Sequence, residues 1–175
     1  MGLNKKPKIV IITGAESTGK SVLTRQLSHF YQSPSFAEFP REYIEKTGRN
    51  YSYDDVISIA LMQKAQMKKS YSINSRYVFF DTWLIITMVW FEVVFGKIPR
   101  WIPDTIRNAT VDLFLLCDTD LPWVPDQLRE NGGKMREFLQ NRYIEAINAY
   151  GFKYQLVSGH SEERFNNAVE FILQI

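Results

Sequence analysis

Residues 8–21 read Lys-Ile-Val-Ile-Ile-Thr-Gly-Ala-Glu-Ser-Thr-Gly-Lys-Ser and decide the fold of this chain. The first part, residues 8–13, is apolar and β-branched, which predicts a buried strand. The second part, residues 14–21, matches the pattern G-x-x-x-x-G-K-[ST] in full. Residues 21–31 follow with apolar side chains at helical spacing, namely Val22, Leu23, Leu27 and Phe30. A glycine-rich loop between a strand and a helix predicts a binding site for the phosphates of a nucleotide.

The residue types of this loop suit that chemistry. Gly14 and Gly19 allow the backbone to turn and to bring its N–H groups close to phosphate oxygens. Lys20 supplies a positive charge for the β- and γ-phosphates, and the Ser21 hydroxyl is a suitable ligand for Mg²⁺. We expect the nucleotide to contact the loop and the start of the helix, at Gly14, Ala15, Glu16, Ser17, Thr18, Gly19, Lys20, Ser21 and Val22.

Composition limits the remaining possibilities. The chain has 175 residues, which predicts a single domain over residues 1–175. Lys and Arg total 21 against 19 for Asp and Glu, so the net charge of +2 indicates neither a nucleic-acid nor a membrane partner. The single cysteine, Cys117, excludes an internal disulfide and is consistent with a reducing cytoplasm. The most apolar later segment, residues 82–91, is too short to span a bilayer. We expect a cytoplasmic protein, with its oligomeric state open.

Apolar runs and helical patterns alternate along the rest of the chain. Further strands are predicted at residues 35–39, 77–81, 111–117 and 153–157. Helices are predicted at residues 52–70, 82–95, 99–109, 134–150 and from 161 onward. Ser52 or Asp54 is expected to cap the second helix, and Ser161 the last one. This alternation predicts an α/β protein with a five-stranded parallel sheet and helices on both faces, a three-layer fold.

In such a sheet, ligands bind at the carboxyl ends of the strands, where acidic residues follow several of the predicted strands. Asp81 follows the third strand, where it suits the second Mg²⁺ contact of a phosphate-loop enzyme; the alternative is a helix N-cap. Glu38 follows the second strand and is suited to accept or to hydrogen-bond the proton of a substrate hydroxyl. Arg41 is suited to hold a phosphate or to pair with Glu42. The alternative for this segment is a solvated loop with an ordinary ion pair.

A proline-bearing, charged segment at about 118–142 is predicted to act as a lid over the nucleotide. It carries Arg129, Arg136 and Arg142, and Arg129 is the preferred candidate to stabilise the charge of a transferred phosphoryl group. The alternative, an exposed charged helix and turn, applies well to Arg142 and partly to Arg136.

Two tryptophans, Trp90 and Trp123, are candidates to stack on a substrate base, although most tryptophans are core residues. The chain lacks a late Asn-Lys-x-Asp motif, so guanine specificity of the GTPase kind is not expected. Its two histidines, His29 and His160, lie far apart in the sequence and in unrelated segments, so no catalytic Ser/His/Asp arrangement is indicated.

Together these motifs resemble the ribosylnicotinamide kinase domain of NadR-type proteins. The resemblance rests on Gly-Ala-Glu-Ser-Thr-Gly-Lys-Ser-Val-Leu-Thr at 14–24, Glu-Phe-Pro-Arg-Glu-Tyr at 38–43 and Phe-Asp-Thr at 80–82. It continues with Leu-Cys-Asp-Thr-Asp-Leu-Pro-Trp-Val-Pro-Asp at 116–126 and Leu-Arg at 128–129. The similarity therefore covers nearly the whole chain.

The resemblance implies a P-loop kinase-like fold with a lid, ATP and Mg²⁺ as cofactors, and phosphorylation of the 5′-hydroxyl of nicotinamide riboside to nicotinamide mononucleotide. It implies phosphate and metal roles for Lys20, Ser21 and Asp81, and a lid role for Arg129. It implies substrate-side roles for Glu38 and Arg41.

Two features depart from that family. Residues 82–84 are Thr-Trp-Leu where the family commonly has a further acidic residue, and no His-x-Gly-His signature occurs. Transfer of a nucleotidyl group to make NAD is therefore not expected of this chain. Whether Glu38 or Asp81 is the base stays open, as does the acceptor, which could be another nucleoside or small metabolite. A nucleotide-responsive regulatory module without a small-molecule acceptor is the alternative from a different functional class.

Overall fold

A computed structural model describes residues 6–38, 43, 51–124 and 132–175. Its central element is a sheet of five strands in the order β2-β3-β1-β4-β5, in which all neighbouring strands are parallel. The strands are β1 (Lys8–Thr13), β2 (Ser35–Phe36), β3 (Tyr77–Asp81), β4 (Leu113–Cys117) and β5 (Tyr154–Val157). The predicted parallel sheet is thus confirmed.

Helices cover both faces of the sheet. Those of the described residues are α1 (Lys20–Phe30), α2 (Tyr53–Ser70), α3 (Leu84–Phe95), α4 (Trp101–Arg107), α5 (Gly133–Ala149) and α6 (Ser161–Leu173). Alternate residues of β1 point to opposite faces: Ile9 and Ile11 pack with α2, α3 and α4, whereas Val10 and Ile12 pack with α1 and α6. The three-layer fold predicted from the sequence is therefore confirmed.

The chain order places β1 at the centre, between β3 and β4. The connection from β1 leads to one side of the sheet and the connection from β3 to the other, so the strand order reverses beside β1. Ile12 pairs with Asp81, and Thr13 with Leu116, so the last residues of these strands lie side by side. A crevice at this reversal is where open α/β sheets bind ligands.

Two predicted helix caps had different outcomes. Ser52 caps α2 as predicted, in a capping box with Asp55 in which each side chain accepts from the other residue's backbone N–H. The prediction for Ser161 is wrong. His160 occupies the N-cap position of α6 without a side-chain hydrogen bond, and Ser161 is the first helical residue, at φ 47°.

Some element boundaries also differ from the predictions. β4 starts at Leu113 rather than at residue 111, because the carboxylate of Asp112 accepts the N–H of Ile9 at 2.7 Å. β2 ends at Phe36, and the residue predicted to end it, Phe39, lies outside the described residues. The other predicted helix and strand ends agree with the structure or shift by one or two residues. In the part of the chain that the structure describes, no helix combines the length and the apolar character needed to cross a membrane.

Candidate active site

The glycine-rich loop connects β1 to α1 through an unusual backbone path. Gly14, Ser17 and Gly19 have φ values of 137°, 57° and 78°, in the region that favours glycine. Gly19 occupies the N-cap position of α1, where no side chain makes a capping hydrogen bond. The first N–H groups of α1 are therefore available to an anion.

Gly14 has the tightest surroundings of the loop. A Cβ atom at this position would lie 2.7 Å from the backbone oxygen of Cys117 and 3.1 Å from the Thr18 hydroxyl oxygen. Both neighbours are buried, so the backbone would have to move to accept a side chain.

We expect the substitution Gly14→Ala to abolish measurable ATP binding and to lower the free energy of unfolding by about 2 kcal/mol or more. Gly96→Ala is the matched control, because Gly96 also has positive φ, 62°, but nothing lies within 4 Å of its added Cβ. Calorimetric titration and urea unfolding would measure the two effects. Equal losses in the two variants would show that backbone strain alone, and not the close approach to β4, is responsible.

Lys20 and Ser21 lie at the first turn of α1, as their roles require. The Lys20 ammonium donates a hydrogen bond to the backbone oxygen of Ala15 at 2.8 Å, so its side chain folds back over the loop. Both side chains are partly exposed. Lys20 is thus held beside the space that the loop encloses, with the two further hydrogens of its ammonium group left to bind phosphate.

Asp81 ends β3 beside these residues and is only 5% exposed. Its Oδ1 atom is buried and has no hydrogen-bond partner among the described residues. Burial and the nearby charge of Glu38 raise the pKa of Asp81 to about 6, although a hydrogen bond from Ser21 and the charges of Lys20 and Arg25 act in the opposite direction. A buried carboxylate oxygen with no partner, facing a serine hydroxyl, fits the oxygen ligands that Mg²⁺ prefers.

The alternative role for Asp81, as a helix N-cap, is wrong. The N-cap position of α3 is Trp83, which makes no side-chain capping bond. Thr82 separates the two with a φ of 63°, so the chain turns sharply before α3 starts at Leu84 rather than at residue 82. The turn leaves the Asp81 carboxylate at the strand end, facing the loop.

Glu38 completes the acidic part of the site. It is half-buried just after β2, and its charge acts on Asp81 strongly enough to raise the pKa of that carboxyl. The strands are held together here by stacking of Phe36 on Phe80, with ring centroids 4.8 Å apart. The structure thus brings the two predicted carboxylates together, whereas Arg41 lies outside the described residues.

The three candidate lid arginines differ in position. Arg129 lies outside the described residues. Arg142 pairs with Glu92 and Glu145 on the surface, as the exposed-helix alternative predicts. Arg136 is buried, and its guanidinium donates to the backbone oxygens of Glu16 and Ser17 at 2.9 and 3.1 Å. For Arg136 the exposed-helix alternative is wrong, and this arginine contacts the phosphate loop.

Gln140, one turn after Arg136, was not identified from the sequence. Its side-chain oxygen accepts the N–H of Ala15 at 2.8 Å, and its amide nitrogen donates to the backbone oxygen of Cys117 at 2.9 Å. A signal was present: Arg136, Gln140, Tyr143 and Ile147 form one buried stripe of α5 at helical spacing. Polar residues on a buried stripe need buried partners.

Arg164 was also missed. It is 4% exposed on α6 and donates to the backbone oxygens of Thr18 at 3.0 Å and Val157 at 3.1 Å. It also pairs with the carboxylate of Asp120. The corresponding signal is that Arg164 continues the buried stripe of Ala168 and Ile172 at intervals of four residues.

The two tryptophan candidates have different surroundings. Trp90 on α3 is half-buried and contacts the ring of Tyr51 edge-to-face, with centroids 4.8 Å apart. Trp123 donates from its indole nitrogen to the carboxylate of Glu16 at 3.3 Å, and its ring packs closely on Gly132. Trp123 therefore contacts the phosphate loop at the side chain of Glu16. Stacking of either tryptophan on a base stays a prediction.

A glycine-rich loop at the central strand of a parallel sheet, with a carboxylate at the end of the adjacent strand, defines a P-loop protein of the kinase-like fold. The AAA_28 family model, described as an AAA domain, matches residues 9–164, and the chain belongs to this family. The resemblance to NadR stated from the sequence is also confirmed. The chain is 26% identical over 176 aligned residues to the trifunctional NAD biosynthesis/regulator protein NadR of Salmonella typhimurium and to that of Escherichia coli.

These alignments cover 96% of this chain but 42% of each NadR protein, so the chain spans about two fifths of the length of those relatives. Among solved structures, a NadR protein in complex with NR superposes with a TM-score of 0.78 at 22% identity, over 98% of this chain and half of that one. A deoxyadenosine kinase from M. mycoides superposes with a TM-score of 0.70 at 17% identity, over 95% of this chain and all of that one. Both superpositions show the kinase-like fold.

Proposed function

We propose that this protein is a small-molecule kinase that transfers the γ-phosphoryl group of ATP to the 5′-hydroxyl of a nucleoside, with nicotinamide riboside as the preferred acceptor. The observation that carries the proposal is the buried carboxylate of Asp81, which has an unpaired oxygen and faces Ser21 and Lys20 at the mouth of the phosphate loop. The similarity to NadR over nearly the whole chain supports the choice of acceptor.

In this proposal the loop holds the donor. The N–H groups of the loop and of the first turn of α1 bind the phosphate oxygens. The ammonium group of Lys20 breaks its hydrogen bond to the oxygen of Ala15 and binds the β- and γ-phosphates instead. Ser21 and Asp81 would hold Mg²⁺, which when bound neutralises charge on the phosphates. Because Asp81 is buried, its negative charge is poorly solvated without a cation, which favours metal binding at this place.

The acceptor lies on the side of Glu38. The 5′-hydroxyl oxygen of the acceptor attacks the γ-phosphorus of ATP. The bond between the γ-phosphorus and the oxygen that bridges it to the β-phosphate breaks, and ADP leaves. The hydroxyl proton passes to Glu38, or to Asp81 in the alternative assignment. Glu38 is the better base in this geometry, because it is only half-buried and Asp81 is committed to the metal. Arg41 and Trp90 stay predicted acceptor contacts, and Arg129 stays a predicted lid residue.

The test is a phosphorylation assay with ATP, Mg²⁺ and a panel of nicotinamide riboside, deoxyadenosine, thymidine and cytidine, with products identified by mass spectrometry. We expect a monophosphate of nicotinamide riboside, formed with a kcat/KM about a hundredfold above that of the other acceptors. The variant Lys20→Ala, purified in parallel, excludes a contaminating kinase.

The panel also separates the alternatives. A product from another nucleoside, with none from nicotinamide riboside, would keep the kinase and reject the acceptor. Tight ATP binding without any phosphorylated product would reject the kinase in favour of the nucleotide-responsive regulatory module.

A further inference from the structure

The phosphate loop is held from behind by two buried arginines that are distant in sequence from the loop and from each other. Arg136 on α5 bonds the carbonyl oxygens of Glu16 and Ser17, and Arg164 on α6 bonds that of Thr18. Three consecutive carbonyl groups of the loop are thus taken by two guanidinium groups. We call Arg136 and Arg164 the guanidinium brace.

The brace has a direct consequence for the N–H groups of the loop. In a planar trans peptide the C=O and N–H bonds point in opposite directions. When the carbonyls of Glu16, Ser17 and Thr18 point at the brace, the N–H groups of Ser17, Thr18 and Gly19 point away from it. None of these three N–H groups makes a backbone hydrogen bond within the described residues. They remain available on the concave side of the loop, where phosphate oxygens bind.

We propose that Arg136 and Arg164 are positioning residues that preorganise the phosphate loop for the triphosphate of the donor, an inference that rests on the proposed donor role of the loop. The loop needs such support because Ser17, a non-glycine residue, has a left-handed backbone conformation. Arg136 bonds the carbonyl of this residue, and the Ser17 hydroxyl bonds the N–H of Val124 at 3.1 Å. The strained peptide is thereby held on two sides.

The action of the brace is geometric more than electrostatic. Arg164 is paired with the carboxylate of Asp120, and Asp118, Asp120 and Glu16 all act on the charge of Arg136. Nearby acids thus offset part of the positive charge that the brace could offer a phosphate. What it retains is the planar fork of donors, which can hold two acceptors at fixed angles.

Gln140 anchors the start of the loop in the same manner. It joins the N–H of Ala15 to the carbonyl of Cys117 at the end of β4. Because Gln140 and Arg136 both belong to α5, the helix in which the predicted lid segment ends bonds the loop at three backbone positions. Arg164 adds the carbonyls of Val157 and Gly159, which tie the loop to the end of β5.

The test compares Arg136→Lys and Arg164→Lys, which keep the positive charge and lose the fork. Arg142→Lys is the matched control, because Arg142 lies on α5 but pairs with surface glutamates. Calorimetric titration would use ATP and inorganic tripolyphosphate, which has neither base nor ribose. We expect each brace variant to bind both ligands about tenfold more weakly, and the control to match the wild-type protein within about twofold.

A second measurement separates positioning from general damage. In the kinase assay, the brace variants should raise the KM for ATP and lower kcat, while the KM for the acceptor stays within about twofold. Circular dichroism and thermal unfolding establish that each variant is folded. The inference is overturned if the folded variants bind tripolyphosphate as the wild type does, or if the acceptor KM rises as much as that for ATP. The binding arm needs no acceptor, so it stands apart from the panel assay that decides the kinase proposal.

Discussion

Replacing Asp81 by asparagine should slow phosphoryl transfer about a thousandfold and at the same time make the metal-free protein more stable at pH 8. The carboxylate is buried with one unpaired oxygen, so its charge is costly in the absence of a cation. Asparagine has almost the same shape and no charge. We expect a kcat about a thousandfold lower, because the proposed metal ligand is lost, and unfolding at a temperature about 5–10 °C higher in EDTA.

The pH dependence of this gain follows from the pKa of Asp81. The pKa is 3.8 for an ordinary aspartate and about 6 here, so the folded protein holds the proton more tightly than the unfolded chain. Wild-type stability therefore falls as the pH rises between these values, by about 3 kcal/mol in total. The difference between wild type and Asp81→Asn should be near zero at pH 4 and reach its full size above pH 7.

Urea unfolding of both proteins in EDTA, at intervals from pH 4 to pH 8, measures this difference. Asp104→Asn is the control, since Asp104 is exposed and pairs with Arg107 on the surface, where such pairs contribute little. A difference that is independent of pH would contradict the buried-charge explanation. A fully active Asp81→Asn enzyme would contradict the proposed metal role.

Replacing Lys20 by alanine should have the second large effect, a loss of about a thousandfold in kcat/KM with ATP. The ammonium group lies against the loop, bonded to the oxygen of Ala15, and is the charge proposed to contact the γ-phosphate. Its removal leaves the γ-phosphate without a mobile positive charge as the transition state forms. Fold stability should change by less than about 1 kcal/mol, because the side chain is partly exposed.

Lys153→Ala serves as the control for a general loss of positive charge, since Lys153 is an exposed residue just before β5. Initial rates at varied ATP, together with a thermal melt, separate the catalytic effect from any effect on folding. Retention of more than about a tenth of the wild-type kcat/KM by Lys20→Ala would remove this lysine from the mechanism.

The phosphate loop and the parallel sheet could be predicted because their signals are local. The six residues of β1 have the apolar run of a buried strand, and the residues of α1 have the apolar spacing of a helix. The glycines between them indicate a tight loop. Asp81 and Glu38 were also found, since a rule of parallel sheets places residues that follow neighbouring strands at one edge. The prediction that Ser161 caps α6 was wrong by one residue, since the N-cap is His160 and the sequence pattern does not fix a helix start that closely.

Other parts of the site had no local signal strong enough to find them. Arg164 meets Thr18 across 146 positions of sequence, and Gln140 meets Ala15 across 125. The spacing of buried residues on each helix indicates that a polar side chain is buried there, but it does not indicate which group that side chain contacts. The sequence made Arg129 the preferred lid arginine and left an exposed helix as the alternative for Arg142 and partly for Arg136. The packing of α5 on the loop is what distinguishes Arg136 from the surface arginine Arg142.

The sequence by itself therefore determined that residues 14–21 form a phosphate-binding loop at the centre of a parallel α/β sheet, because periodicity and glycine spacing act over a few neighbouring residues. Tertiary structure alone decided which buried side chains hold that loop and how the charge of Asp81 behaves. Those properties depend on burial and on long-range contacts, which arise only when the carboxyl ends of the strands and the helices behind them come together.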